Sequence, residues 1–333
     1  MDSAHRNLSM EQGMASNISG RSTTKVSIIG AGMVGSTLAY SLAIEGTVGE
    51  ILLVDVNRER AEGEAMDLNH TLPFMAPTRV WAGDFSDCAK SDVIVITAGF
   101  AQKPGESRLH LASRNVAVIK DIANRLKNVV GSAIVIVVAN PVDILTYTFI
   151  KSSGLTPSQV FGSGTVLDSA RLRYELSAHC RVDPRNVHGY IVGEHGDSEV
   201  PLWSLTNIAG VKISDYCAIC GRECAPDELE AIFENVKKAA YRIIETKGAT
   251  YYAIGMGTLR LIEAVVRDQR SVYTVSVLLI GQHGLSDVCL SLPCIIGREG
   301  IAQVVELPLE DAELQKLHRS ARVLREAIAE SGA

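Results

Sequence analysis

The sequence predicts an α/β protein, a doubly wound parallel sheet followed by a mixed α+β half. Three observations carry that expectation. Short β-branched runs alternate with stretches of helical spacing up to about residue 165. Those runs are apolar almost without interruption, as strands buried on both faces of a helix-covered parallel sheet must be. Beyond residue 165 the alternation stops, and long helical stretches lead into three strand-like runs close together.

Taken in order, residues 25–30 (KVSIIG) are a buried strand. After the glycines, Val34, Leu38, Leu42 and Ala43 recur at helical spacing. Residues 50–55 (EILLVD) are a second apolar strand that ends on an acid, and 57–69 follow as a helix. Residues 92–98 and 133–139 are two more buried strands. Between them Val116, Ile119, Ile122, Ala123, Leu126 and Val130 form one helical stripe. In the second half, 166–182 are helical, 187–192 (VHGYIV) a strand, and 227–246 and 250–268 long helices. Residues 271–280, 287–292 and 301–306 are antiparallel strands, and 310–331 close the chain as a helix. The expected organisation is a tail at 1–24, a first domain at 25–165 and a second at 166–333, tightly joined.

The chain has 333 residues, 47% apolar and 21% charged, which is enough for two cores. A net charge of -6 without any basic block argues against nucleic acid as a partner. No apolar run approaches the roughly 20 residues that span a bilayer. The first 24 residues lack the apolar stretch of a signal peptide, and read as a mobile tail or an arm that orders against a neighbouring subunit. Seven cysteines, an odd number, fit a reducing, cytoplasmic location better than a disulfide framework. Cys217, Cys220 and Cys224 form C-x2-C-x3-C, with Asp215 and Glu223 nearby but no histidine and no second paired motif. Free thiols are therefore expected there, and no metal.

Gly30-Ala31-Gly32-Met33-Val34-Gly35 is G-x-G-x-x-G, placed between a strand and a helix, which is the context that gives the pattern meaning. Gly30 permits a tight turn, Gly32 lets a pyrophosphate reach backbone amides at a helix N-terminus, and Gly35 lets helix pack on strand. Asp55 ends the next strand, 20 residues beyond Gly35. A carboxylate there accepts from a ribose diol and repels a 2′-phosphate, so NAD is expected rather than NADP. The placed strand, helix and acid disfavour an ordinary glycine turn. Further on, residues 193–197 read G-E-H-G-D. His195 is either a loop histidine or a proton carrier, a role that suits imidazole because it titrates close to neutral pH. Arg171 lies three residues after Asp168, one helical turn along on the same face.

With these residues in view, the chain resembles the lactate/malate dehydrogenase family, and within it the bacterial L-lactate dehydrogenases. The resemblance runs from about Lys25 to about Ile328. It rests on GAGMVG, AGFAQKPGESR, NPVD, GSGTVLDSARLR, GEHGDSEVP and KGATYYAIG, in that order. It implies a Rossmann domain followed by a substrate domain, reversible hydride transfer between L-lactate and NAD+ to give pyruvate and NADH, and a homo-oligomer, a tetramer or dimer. It also implies a cytoplasmic enzyme of glycolysis and fermentation. By the same resemblance His195 is the general acid/base, and Asp168 orients its imidazole and stabilises the imidazolium. Arg171 grips the substrate carboxylate, where a planar fork suits better than an ammonium. Arg108 ends a loop, Ala98–Arg108, that closes over substrate, and polarises the reacting carbonyl once water is excluded. Gln102 reads the far end of the substrate. An uncharged glutamine leaves a second carboxylate unpaired, at a cost on the order of 3–5 kcal/mol. With Thr250 lining the same pocket, a short monocarboxylate is implied. Asn140 contacts substrate and cofactor, Ser163 the nicotinamide side, and Ile254 lies under the ring. Gly30, Gly32, Met33, Val34, Gly35, Asp55, Ala98 and Gly99 complete the cofactor set.

Arg173 lies two residues past Arg171 and so faces roughly the other way on a helix. In bacterial members of the family an arginine here and a histidine at the position of His188 bind fructose 1,6-bisphosphate between subunits. One departure stands out: Ala101 occupies a position where many members have an arginine on the cofactor pyrophosphate, with Lys103 two residues on. Other readings stay open. A malate or larger 2-hydroxyacid dehydrogenase is one, with Gln102 against malate. A non-catalytic nucleotide-binding regulatory protein is another, with the complete Asp168, Arg171, His195 and Arg108 set against it. A zinc hydrolase built on His188, Glu194 and His195 lacks an H-E-x-x-H helix.

Overall fold

A computed structural model describes residues 23–100, 108–219, 221 and 226–333. The tail expected at 1–24 falls almost wholly outside the described residues, as do Gln102, Ala101 and Lys103 and the side chain of Arg108. The side chains of Cys217, Cys220 and Cys224 also lie outside them.

The first half alternates strand and helix. β1 (Lys25–Ile29), α1 (Met33–Glu45), β2 (Glu50–Val54), α2 (Arg58–Thr71) and β3 (Arg79–Ala82) come first. β4 (Val93–Ile96), α3 (Arg108–Leu126), β5 (Ile134–Val137), α4 (Val142–Ser153) and β6 (Val160–Gly162) follow. The second half opens with α5 (Val166–Cys180), β7 (Val187–His188), β8 (Ile191–Val192), β9 (Val200–Pro201), β10 (Asn207–Ile208) and β11 (Val211–Lys212). It continues with α6 (Ile213–Ile219), α7 (Pro226–Lys247), α8 (Tyr252–Val266), β12 (Ser271–Ile280), β13 (Ser286–Gly297), β14 (Gly300–Val304) and α9 (Asp311–Ser331).

β1 to β6 pair in parallel in the order β3-β2-β1-β4-β5-β6. β4 (VIVI) and β5 (IVIV) are buried at every residue, so their unbroken apolar runs reflect helices on both faces. The sheet does not stop at the join between the halves. β12 pairs antiparallel with β6 through Ser276 and Gly162, and β13 and β14 continue beyond it, giving nine strands in one sheet. A smaller core gathers Leu172, Leu176, Val187, Ile208, Phe233 and Val236 beneath α5 and α7.

Two sequence expectations change. The run 187–192 is not one strand: β7 pairs with β10 and β8 with β9, in different sheets. Between them Gly189 O accepts from Arg173 Nε and Tyr190 O accepts from the Leu202 N–H, so the backbone leaves one ladder to join another. α4 was invisible in the apolar pattern because nine of its residues are buried, Asp143 and two threonines among them. A helix buried all round shows no amphipathic period.

Candidate active site

β1 has β2 on one side and β4 on the other, so the C-terminal ends of β1 and β4 open a crevice where the strand order reverses. The three glycines that follow β1 differ in what they answer to. Gly30 has φ +108°, and a Cβ there would lie 2.6 Å from the Ala98 nitrogen. A Cβ on Gly35 would overlap the Gly30 carbonyl oxygen. The protein itself explains both. A Cβ on Gly32 would meet nothing within 4 Å. Gly32 is the N-cap of α1, and neither a side-chain cap nor a first-turn acid serves that helix start. Open space against an uncapped helix N-terminus fits a pyrophosphate, which a side chain at position 32 would displace.

Around this crevice, Asp55 Oδ2 accepts the Ala31 N–H at 2.7 Å and Oδ1 accepts the Asn57 N–H at 2.9 Å. Its carboxylate is thereby held beside the glycine turn, able to accept from a ribose diol. Thr97 Oγ1 donates to Gly30 O at 2.7 Å, and Ala98 N–H to Ile29 O at 2.9 Å, which binds the end of β4 to the turn. Gly99 follows with Ala139 and Asn115 around it. Met33 is exposed at the start of α1, and Val34 packs against the core. Ser163 is buried with its N–H on Val137 O at 2.8 Å, and Ile254 packs on the core from α8. These residues fit a dinucleotide.

The second cluster forms where α5 meets the loop after β8. Asp168, in the first turn of α5, is 3% exposed. Its Oδ1 accepts from Arg171 Nη1 at 2.9 Å, and its Oδ2 lies 2.5 Å from His195 Nδ1. Burial opposes the charge on Asp168, but the His195 and Arg171 charges outweigh it and hold the carboxyl below its ordinary value. An ionised carboxylate only accepts, so Nδ1 carries the proton and Nε2 is the free edge of the ring. Burial pulls the imidazole down while Asp168, with Asp143 and Glu199 behind it, pushes it up; the outcome is about 9. The ring is nevertheless 26% exposed, so Nε2 can meet a small molecule.

The backbone under His195 is tied down residue by residue. Gly193, at φ +87°, exchanges both backbone hydrogen bonds with Ser291, at 2.9 and 2.8 Å. Glu194 N–H donates to Ser320 Oγ of α9 at 2.8 Å, and His195 N–H to Asp143 Oδ2 of α4 at 2.8 Å. The Glu194 carboxylate is taken by the Ser198 hydroxyl, so it does not serve the imidazole.

Arg171 and Thr250 share a cleft of about 440 Å³ between α5, α7 and α8, with Val236, Ala239 and Ile243 on its apolar wall. Arg171 is 15% exposed at its side chain and spends only Nη1 on Asp168, which leaves its Nε–Nη2 edge. Asn140 is held elsewhere, beside the end of β4: Asn115 Nδ2 donates to Asn140 O at 2.7 Å and to Phe100 O at 3.2 Å, and Asn115 Oδ1 accepts the Phe100 N–H at 2.8 Å. Arg173 Nε donates to Gly189 O at 3.2 Å, directly after the exposed His188. That bond holds the Arg173 side chain on the backbone next to His188.

Three site groups escaped the sequence reading. Asn115 had a signal, since it is a polar residue, 1% exposed, on the otherwise apolar face of α3. Asp143 was inside NPVD, three residues after the chosen asparagine. Glu199 was inside GEHGDSEVP, four residues after the chosen histidine: it is 7% exposed, its Oε1 has no hydrogen-bond partner, and burial, then the Asp168 charge, pushes it up to about 9.

The chain matches the family model described as the lactate/malate dehydrogenase NAD binding domain over residues 24–162. It matches the lactate/malate dehydrogenase alpha/beta C-terminal domain over residues 165–333. The chain belongs to the lactate/malate dehydrogenase family. The half of this family member that carries the β1–β4 crevice is accordingly an NAD-binding domain. Among its relatives, an L-lactate dehydrogenase from Thermoanaerobacter pseudethanolicus is 55% identical over 306 residues, 92% of this chain and 98% of the relative. One from Acetivibrio thermocellus is 52% identical over 304 residues, 91% of this chain and 96% of the relative. A crystal structure of minor L-lactate dehydrogenase from Enterococcus mundtii, in a ligands-bound form, superposes with a TM-score of 0.89 at 38% identity, covering 93% of this chain and 98% of that one. A lactate dehydrogenase from a Medee basin deep-sea metagenome library gives 0.90 at 42% identity, covering 93% and 99%. No helix among the described residues of this dehydrogenase is long and apolar enough to cross a membrane.

Proposed function

We propose that the chain interconverts L-lactate and pyruvate with NAD, and that the Asp168–His195–Arg171 cluster is its chemical centre. The carrying observation is one buried carboxylate bridging the imidazole and the guanidinium, at 2.5 and 2.9 Å. Bound NAD supplies the hydride acceptor for lactate, or the donor for pyruvate. His195 Nε2 takes the hydroxyl proton as lactate is oxidised and returns it as pyruvate is reduced. Asp168 keeps Nδ1 protonated and stabilises the imidazolium. Arg171 pairs the substrate carboxylate through its remaining edge, and Thr250 lies beside it in the same cleft. Gln102 and Arg108 complete the reading, one disfavouring a second carboxylate and the other polarising the carbonyl. Asn140, Ser163 and Ile254 attend the nicotinamide side, while Gly30, Gly32, Met33, Val34, Gly35, Asp55, Ala98 and Gly99 hold the rest of NAD. Pyruvate reduction regenerates NAD+, as a fermentation in the cytoplasm requires. NADH oxidation against pyruvate, oxaloacetate and 2-oxoisocaproate tests the assignment. The highest kcat/KM is expected for pyruvate, and a preference for oxaloacetate would overturn the reading of Gln102.

The same proposal extends to control. Arg173, held on Gly189 O beside the exposed His188, offers a guanidinium suited to a phosphate, with the His188 ring N–H as a further donor. Two symmetry-related copies in a tetramer hold the two phosphates of fructose 1,6-bisphosphate. The effector acts only through its differential affinity for the assembled state. Titrating it at low pyruvate is expected to lower the KM for pyruvate, and Arg173→Gln to abolish that response. Activity and sedimentation that both stay flat to millimolar effector would remove the switch.

A further inference from the structure

Asp143 sits in the first turn of α4 and is 2% exposed. It reaches across the join between the two halves, where its Oδ2 accepts the His195 N–H at 2.8 Å. Its Oδ1 is buried without a hydrogen-bond partner. Ser276 Oγ, on β12, is buried without a partner as well. Ser276 lies beside Asp143, and its strand position pairs with Gly162. An orphaned buried polar atom costs about 1–3 kcal/mol, and these two lie side by side, so each is the other's natural partner. A turn of the Ser276 hydroxyl toward Oδ1 makes it a donor to the ionised carboxylate, which favours the charged form, while Oδ2 keeps the His195 N–H. When Asp143 is protonated at Oδ1, the direction reverses and Asp143 donates to Ser276 Oγ. Burial pushes this carboxyl up to about 7, so both forms are populated near neutral pH. The groups acting on it are the Ser276 hydroxyl from β12, His195 and Glu194 from the loop and Cys289 from β13, while Asp168 is bound to the His195 ring.

We propose that Asp143 is a second carboxyl that positions His195, fixing by its Oδ2 the backbone of the residue whose ring Asp168 orients. Asp168 sets the tautomer and one edge of the ring. Asp143 sets where the ring starts from, and does so from the half of the chain that carries the NAD crevice. The distance between proton carrier and nicotinamide site is thus held by a hydrogen bond between the halves. When Asp143 is ionised, its charge also favours the imidazolium of His195. The inference rests on the assignment of His195 as the proton carrier.

Two substitutions separate this from a merely structural role. Asp143→Ala removes the acceptor, and kcat for pyruvate reduction is expected to fall about 10- to 100-fold, the scale of a misplaced catalytic group, with KM for NADH nearly unchanged. Asp143→Asn keeps an oxygen for His195 N–H and offers an N–H to Ser276 Oγ, so most of the lost kcat returns. Asn lacks the charge, so the alkaline midpoint of kcat/KM moves to lower pH. An NMR titration of the His195 ring reads the same shift without any substrate. It therefore stays decisive if the preferred 2-oxo acid is not pyruvate. Should Asp143→Ala not fold, Asp143→Ser, whose shorter side chain draws the oxygen away from the His195 N–H, takes its place with the same expected loss. Wild-type kcat in that variant, or a kcat in Asp143→Asn as low as in Asp143→Ala, would overturn the positioning, and a wild-type midpoint in Asp143→Asn would remove the contribution of its charge.

Discussion

His195→Asn is expected to lower kcat roughly 10²- to 10⁴-fold in both directions, the usual contribution of a positioned general acid–base group, with NADH affinity nearly intact. The ring meets Asp168 at 2.5 Å through Nδ1, and Asp168 belongs to α5 and not to the glycine turn, so the expected loss is of proton transfer and not of cofactor binding. The pH profile of the unmodified enzyme follows from the same pair. With the imidazole lifted to about 9, it is protonated at neutral pH. Pyruvate reduction consumes that proton, so kcat/KM for pyruvate stays level through neutrality and falls as pH rises through about 9. Lactate oxidation needs the neutral ring, so it climbs over the same interval. Steady-state rates in both directions from pH 6 to about 10 read this crossing. Near-normal turnover in His195→Asn would take His195 out of the chemistry.

Removing the guanidinium should cost as much, through a different constant. Arg171→Gln is expected to cut kcat/KM for pyruvate by about 2–5 kcal/mol, or roughly 30- to 4,000-fold, because it leaves a buried carboxylate without its partner. The loss appears mainly in KM, since Arg171 pairs the carboxylate in the ground state and the transition state alike. Asp168 also loses one of the two charges that hold it below its ordinary value. Arg171→Lys restores charge but not the fork, as an ammonium cannot make two parallel bonds to a carboxylate, so it recovers only part of the loss. Full recovery by lysine would show that charge alone suffices and would end the bidentate reading.

Much of the first half was legible in one dimension because its causes are local. Apolar runs such as VIVI in β4 are legible because helices cover both faces. Gly35 answers to the backbone of its own turn and Gly30 to a φ of +108°, and Asp168 and Arg171 to one helical step. The candidate chemistry was legible through order and motif, from G-x-G-x-x-G to GEHGD, rather than through any spacing that brings the groups together. What spacing could not show is pairing at a distance. His195 meets Asp168 across 27 positions and Asp143 across 52. The continuation of the sheet from β6 into β12 joins Gly162 to Ser276, and no periodicity in either segment announces it. α4, Asn115 and Glu199 were hidden for a related reason: a polar group's meaning depends on what is packed against it. Local geometry is written in neighbouring residues. Burial, the pairing of charges and the shift each imposes on the other exist only once the chain has closed on itself, because they depend on distance in space and the exclusion of water.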